Sequence, residues 1–94
     1  MLTASQLRAA RALLGIDQKT LAEMAELSLP TIQRMESSPD NLRGSAASLI
    51  RVVEALDRAG VELIAEGVPS YGSGRGVRLK AAQVAPSGQG GNQP

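Results

Sequence analysis

Residues 17–36, DQKTLAEMAELSLPTIQRME, decide the reading of this chain. Apolar residues recur at helical spacing in two short bursts, broken by a turn. The first burst predicts a helix from about Gln18 to Ala25 that buries Leu21, Ala22 and Ala25. Asp17 precedes it as N-cap, with its charge at the positive end of the helix dipole. The second burst starts from a Ser cap, Ser28, and buries Ile32 and Met35. Pro30 falls in its first turn, where a missing N–H costs little. Leu27 is left between the two helices as an apolar pin.

Working outward, Thr3 and Gln6 stand at capping-box spacing ahead of a helix over about Ala4 to Leu14. That helix carries Leu7, Ala10 and Leu14 on one stripe, and Gly15 supplies the left-handed residue that ends it. Downstream, the cluster Ser37-Ser38-Pro39-Asp40-Asn41 reads as a loop, with Leu42 tucked under it. Ser45 caps a fourth helix over about Ala46 to Ala59, with Leu49, Ile50, Val53 and Leu56 as its expected buried stripe and Gly60 as its stop. The apolar period then changes from 3.6 to 2. Residues 61–66 and 76–80 read as two strands, paired as a hairpin across the Gly-rich stretch 67–76. Such a ribbon is not stable alone and must pack on the helices or on a partner. Three segments result: a helical domain over 1–60, a strand extension over 61–82, and a Gly/Gln/Pro-rich tail over 83–94 that reads as disordered.

Composition narrows the function classes. The 94 residues include no Cys, no His, no Trp, no Phe and one Tyr. A disulfide framework, a thiolate metal site and His-based acid–base chemistry are therefore not expected, and neither is a cofactor. The core must come from Leu, Ile, Val, Met and Ala. No apolar run reaches the roughly 20 residues of a membrane span, and the N-terminus lacks the apolar stretch of a signal peptide; a cytoplasmic location is the expectation. Net charge is only +1. Residues 1–60 balance seven basic side chains (Arg8, Arg11, Lys19, Arg34, Arg43, Arg51, Arg58) against seven acidic ones (Asp17, Glu23, Glu26, Glu36, Asp40, Glu54, Asp57). Binding to a polyanion must then come from segregated charge, with Arg8, Arg11, Lys19, Arg34 and Arg43 on one face. Gly72-Ser73-Gly74-Arg75-Gly76 has the composition of a phosphate loop but leads into a strand, so it reads as a hairpin loop.

Two short helices locked at a steep angle, the second with a polar outward face, form a helix-turn-helix, whose dominant use is to hold its second helix in the major groove of DNA. Over residues 3–59 the chain resembles the phage-repressor-like (Cro-like, XRE) helix-turn-helix transcriptional regulators. The likeness is sharpest over Gln18-Lys19-Thr20-Leu21-Ala22 and from Leu27-Ser28 through Thr31-Ile32-Gln33-Arg34-Met35-Glu36. It implies a mainly α, lambda-repressor-like domain of about four helices, here followed by a β-hairpin or strand pair where relatives commonly have a fifth helix. It also implies roles. Gln18 matches a phosphate contact, and Leu29, Pro30 and Thr31 match the turn that reads base edges. Gln33 and Arg34 lie on the next turn, and Glu36 matches a structural acid held by an Arg of the first helix, either Arg8 or Arg11. Leu29 and Pro30 stand where many relatives carry polar readers, so hydrogen-bonded readout falls to Thr31, Gln33 and Arg34, with Arg34 directed to guanine.

The reading is a cytoplasmic, sequence-specific DNA-binding regulator without enzymatic activity: a repressor bound to a palindromic operator as a homodimer. Its DNA contacts are Gln18, Lys19, Ser28, Leu29, Pro30, Thr31, Gln33, Arg34 and Arg43. Its dimer interface is Val61, Leu63, Val77 and Leu79. Two alternatives stand beside it. One is the antitoxin of a toxin–antitoxin pair, binding its toxin through the C-terminal region. The other is a protein–protein adaptor that has lost DNA binding.

Overall fold

Each of the four helices begins on a side-chain cap. At the start of α1 (Ala4–Leu14), Thr3 Oγ1 accepts from the Gln6 N–H at 3.1 Å while Gln6 Oε1 accepts from the Thr3 N–H at 2.9 Å. Asp17 accepts from the Thr20 N–H at 2.7 Å ahead of α2 (Gln18–Ala25). The hydroxyl and N–H of Thr20 hold the Asp17 carboxyl below its ordinary value. Ser28 caps α3 (Leu29–Glu36) through the Thr31 N–H, and Ser45 caps α4 (Ala46–Arg58) through the Ser48 N–H. The computed structural model describes residues 2–80, and these helices are the regular structure among them.

The core belongs to a unit that runs through Leu63. There α2 packs against both α3 and α4, and α1 packs against α3. Leu7, Leu21, Ile32, Met35, Val52 and Leu56 are fully buried, and small residues such as Ala22, Ala25 and Ala55 let the helices approach closely. The loop after α3 pairs with the chain ahead of α1. Thr3 and Asn41 form an isolated antiparallel bridge, and the Leu42 N–H reaches Leu2 O at 3.0 Å, which buries Leu42 as its sequence position predicts.

The turn between α2 and α3 is sharp because Glu26 adopts a left-handed conformation, φ 57°. It directs its N–H and that of Leu27 back to the last turn of α2, the latter to Ala22 O at 2.9 Å. A side chain there costs about 1–2 kcal/mol. Two basic residues of α4 complete the turn: Arg51 donates to Glu26 O at 3.1 Å and Arg58 to Met24 O at 3.2 Å, which satisfies carbonyls the helix end leaves open.

A buried ion pair joins α1 to α3. Arg11 donates to both carboxylate oxygens of Glu36, Nε to Oε2 at 2.6 Å and Nη2 to Oε1 at 2.8 Å, and its Nη1 reaches Ile16 O. Gln18 Nε2 adds a third bond to Glu36 Oε1 at 3.1 Å, and Arg8 donates to the Glu36 carbonyl. Burial pushes the Glu36 carboxyl up, but the bonds from Arg11 and Gln18 outweigh it and hold the group below the ordinary carboxylate value. The Glu36 hydrogen bond in turn raises Arg11.

Two expectations are corrected. In α4 the fully buried residues are Val52, Ala55 and Leu56, with Leu49 half-buried; Ile50 and Val53 point outward, 56% and 41% exposed. The helix is apolar around more than one face. Arg51 and Arg58 flank the buried face and bond to the end of α2 beside it. The second correction concerns the expected strands: residues 61–66 and 76–80 form no ladder. The Val61 N–H is committed to Leu56 O at 2.9 Å, closing the end of α4 around left-handed Gly60, while Val61 and Leu63 pack on the helical core. A second unit begins at Ile64. Within it Arg78 donates to Val68 O at 2.7 Å and to Ala65 O, so a side chain rather than a ladder bridges these stretches. Residues 81–82 of the expected extension and the tail over 83–94 lie outside the described residues.

Two stability measurements check this account. Glu26→Gly removes the left-handed strain but loosens the unfolded chain by roughly 0.4–1 kcal/mol, so urea denaturation should show a gain of up to about 1.6 kcal/mol. A clear loss contradicts the strain argument. Glu36→Gln leaves the partly exposed Arg11 without its counter-charge and should cost about 1–3 kcal/mol. The folded Glu36 carboxyl lies below its unfolded value of about 4.3. Its stabilisation is therefore complete above that pH and is lost as pH falls through the folded value. Melting temperature followed from pH 7 downward should thus drop less steeply in Glu36→Gln than in the parent, with Asp17 supplying the remaining acid dependence. Parallel curves contradict the ion-pair account.

Candidate nucleic-acid interface

The core takes Ile32, Met35 and Glu36 from α3, so the opposite arc of this helix must face solvent. Pro30, Gln33 and Arg34 occupy that arc and are exposed. Leu29 and Thr31 flank it and are half-buried. The helix therefore presents a narrow polar face of two turns, with Pro30 and Leu29 as apolar contacts at its N-terminal end.

Hydrogen bonds order this face along one edge. Ser28 Oγ and Thr31 Oγ1 lie 2.9 Å apart, and Arg34 Nη2 donates to Thr31 Oγ1 at 3.3 Å. Ser28, Thr31 and Arg34 thus form a continuous line, which orients the Arg34 guanidinium along the helix while leaving it solvent-exposed. Thr31 spends its hydroxyl within this line, so it serves partly as a positioning group. At the other end of α3, Ser37 Oγ and Ser38 Oγ both donate to Arg34 O, at 3.1 and 3.3 Å. Ser38 Oγ also accepts the Arg43 N–H at 3.3 Å, which fixes the backbone of the loop bearing the exposed Arg43. These two serines were not among the sequence-predicted site residues. The signal for them is a serine pair directly after a helix, where hydroxyls bond the last open carbonyls.

The remaining candidates divide. Lys19 is exposed in the first turn of α2. Gln18 is half-buried with one amide hydrogen committed to Glu36, which makes it a link between α2 and α3 as well as a candidate contact. Of the residues expected on the basic face, Arg11 is spent in its ion pair with Glu36, and Arg8 stays exposed while donating to the Glu36 carbonyl; Lys19, Arg34 and Arg43 are exposed with no bond to another helix among the described residues. The four residues expected at a dimer interface are not assembled as a strand pair. Val61 and Leu63 are half-buried on the core, whereas Val77 and Leu79 are 78% and 92% exposed. Among the described residues no helix is long and apolar enough to cross a membrane.

Comparison with curated proteins and with solved structures returns no match. A family model described as helix-turn-helix matches residues 7–59, more than half of the chain and all of α2 and α3. The chain belongs to the helix-turn-helix family of Cro/XRE-type, DNA-binding transcription regulators.

Proposed function

We propose that this chain is a transcriptional repressor that binds a palindromic operator as a homodimer, with α3 of each subunit in the major groove. The observation that carries the reading is the outward arc of α3, where Pro30, Gln33 and Arg34 are exposed while the opposite side is locked into the core. A two-fold pair would set its α3 helices in successive grooves about 34 Å apart. A protein seated there denies the same base pairs to other factors, and repression follows from that occupancy.

Within this reading the residues divide into readers and anchors. Arg34 reads guanine through its N–H fork, Gln33 reads a neighbouring base edge, and Leu29 and Pro30 touch thymine methyls. Lys19, Arg43 and the helix N-termini capped by Asp17 and Ser28 hold phosphates, with Gln18 contributing its second amide hydrogen. The line from Ser28 through Thr31 to Arg34 limits the rotamers of the reader, which lowers the entropy lost on binding. With Arg11 paired to Glu36 and Arg8 tied to the Glu36 carbonyl, phosphate attraction rests on few free charges, so affinity depends on two subunits acting together.

Selection from random duplexes tests the reading at its base: an enriched palindrome supports it, and no enrichment overturns it. On the selected operator, Arg34→Ala should cost roughly 1–3 kcal/mol and relax preference at one position in each half-site. Arg43→Ala should weaken all sequences about equally and reduce the salt slope by about one per subunit. If Lys19, Arg34 and Arg43 of both subunits each displace a counterion, the parent's log–log slope is about −5. A slope near zero, or an Arg34→Ala variant with unchanged affinity and selectivity, would reject the assignment.

A further inference from the structure

The outward face of α4 carries a stripe that the unit's own core leaves uncovered. Ala46, Ile50, Val53 and Asp57 follow one another in alternating four- and three-residue steps, and all are exposed. The opposite flank is already occupied, since Arg51 and Arg58 are bound to α2. Beside the C-terminal half of the stripe lies an open groove of about 440 Å³, formed by Val53, Asp57, Gly60, Val61, Glu62 and Leu63.

We propose that this stripe is where a second copy of the chain docks, α4 against α4 in antiparallel orientation. The stripe is self-complementary about the midpoint between Arg51 and Val52. Turning one helix end for end sets Ile50 opposite Val53, and Ala46 opposite Asp57. Apolar residues then meet apolar ones at the centre. At each end an Asp57 carboxylate faces the N-terminus of the other copy's α4, the positive end of its dipole. That end has no acidic residue in its first turn to offset the dipole, and Ser45 satisfies only the Ser48 N–H there. Asp57 makes no side-chain hydrogen bond or ion pair among the described residues, so the charge is available. Ala46 is small and leaves room for it. The parallel alternative opposes Asp57 to Asp57 and brings both positive helix ends together, which disfavours it on charge alone.

The groove widens the contact, because Val61 and Leu63 extend the apolar surface past the end of α4. One helix face and a groove still fall short of the roughly 800 Å² per partner of a standard stable interface. The pair is therefore weak in free solution and strengthens when adjacent half-sites hold two copies together. That last step rests on the DNA-binding reading, but the self-association itself does not.

Sedimentation equilibrium of the full chain without DNA, from micromolar to millimolar protein, is the test. The parent's apparent mass should rise toward that of a dimer. Ile50→Glu, a change at an exposed site, should remain monomeric with an unchanged helical spectrum and unchanged affinity for a duplex bearing a single half-site. Orientation is read separately. The chain has no cysteine, so equal parts of Ile50→Cys and Val53→Cys can be oxidised together. The mixed disulfide should clearly exceed the one-half share that random pairing alone gives, and a mixed share at or below one half overturns the antiparallel pairing. A parent that stays monomeric throughout, or an Ile50→Glu variant that dimerises as the parent does, overturns the interface. Dimerisation that emerges only after deletion of residues 81–94 shows the face covered within one chain, and also overturns it. Loss of half-site binding by a chain that still dimerises through α4 instead refutes the DNA-binding reading and leaves this interface standing.

Discussion

The carboxylate of Glu36 is the constraint on which the geometry of the DNA-reading unit depends. It sits at the last residue of α3, almost wholly buried, and a lone charge in that position would be costly. Arg11 from α1 grips both of its oxygens, and Gln18 from the first turn of α2 binds one of them. Three helices therefore meet on one side chain. Apolar packing around Leu21 and Ile32 holds α2 and α3 together but tolerates small rotations, whereas a bidentate guanidinium–carboxylate pair does not. The angle at which α3 leaves the body of the protein, and so the direction of Gln33 and Arg34, is set at the far end of the same helix. Ser37 and Ser38 reinforce that end by closing the carbonyl of Arg34.

The parts of the fold legible in the sequence were those decided locally. Thr3, Asp17, Ser28 and Ser45 cap the helices because each cap needs only the residues within one turn of it. The pin at Leu27 and the outward arc of α3 follow from period alone. What the sequence left open depends on competition between surfaces. α4 holds enough apolar residues for two stripes, Leu49-Val52-Leu56 and Ile50-Val53, and nothing local ranks them. Arg51 and Arg58 accompany the buried stripe, and their acceptors are backbone carbonyls at the end of α2, more than twenty positions away in the chain. A side chain that bonds to backbone has no complementary residue in the sequence to announce it. The expected hairpin failed for a related reason. Alternation at 61–66 and 76–80 records a capacity for strands, but a ribbon also needs a face to lie on. Val61 and Leu63 instead close the end of α4 and cover the core. In the candidate site, the exposure of Gln33 and Arg34 was legible, while the ordering of Arg34 through Thr31 and Ser28 required the helix to be built.

Partition of charge resolves what the net charge obscures. Seven basic residues within 1–60 balance seven acidic ones, a composition that argues against a polyanion-binding surface when read as a sum. The structure allots them by position. Arg8 and Arg11 are bound to Glu36, and Arg51 and Arg58 close the end of α2, so these four serve the fold. Lys19, Arg34 and Arg43 are exposed without such ties to another helix, on the first turn of α2, on α3 and in the loop braced by Ser38. Net charge counts cations tied to the protein's own carbonyls and carboxylates with those left untied, and so says little about the field a ligand meets. A surface with so few anchoring cations has a consequence for recognition. Nonspecific attraction to phosphate scales with the number of cations, whereas discrimination comes from contacts to base edges. A domain that commits most of its arginines to its own architecture gives up indiscriminate affinity. In the proposed mode, selective binding then depends on geometry, on how rigidly α3 is held.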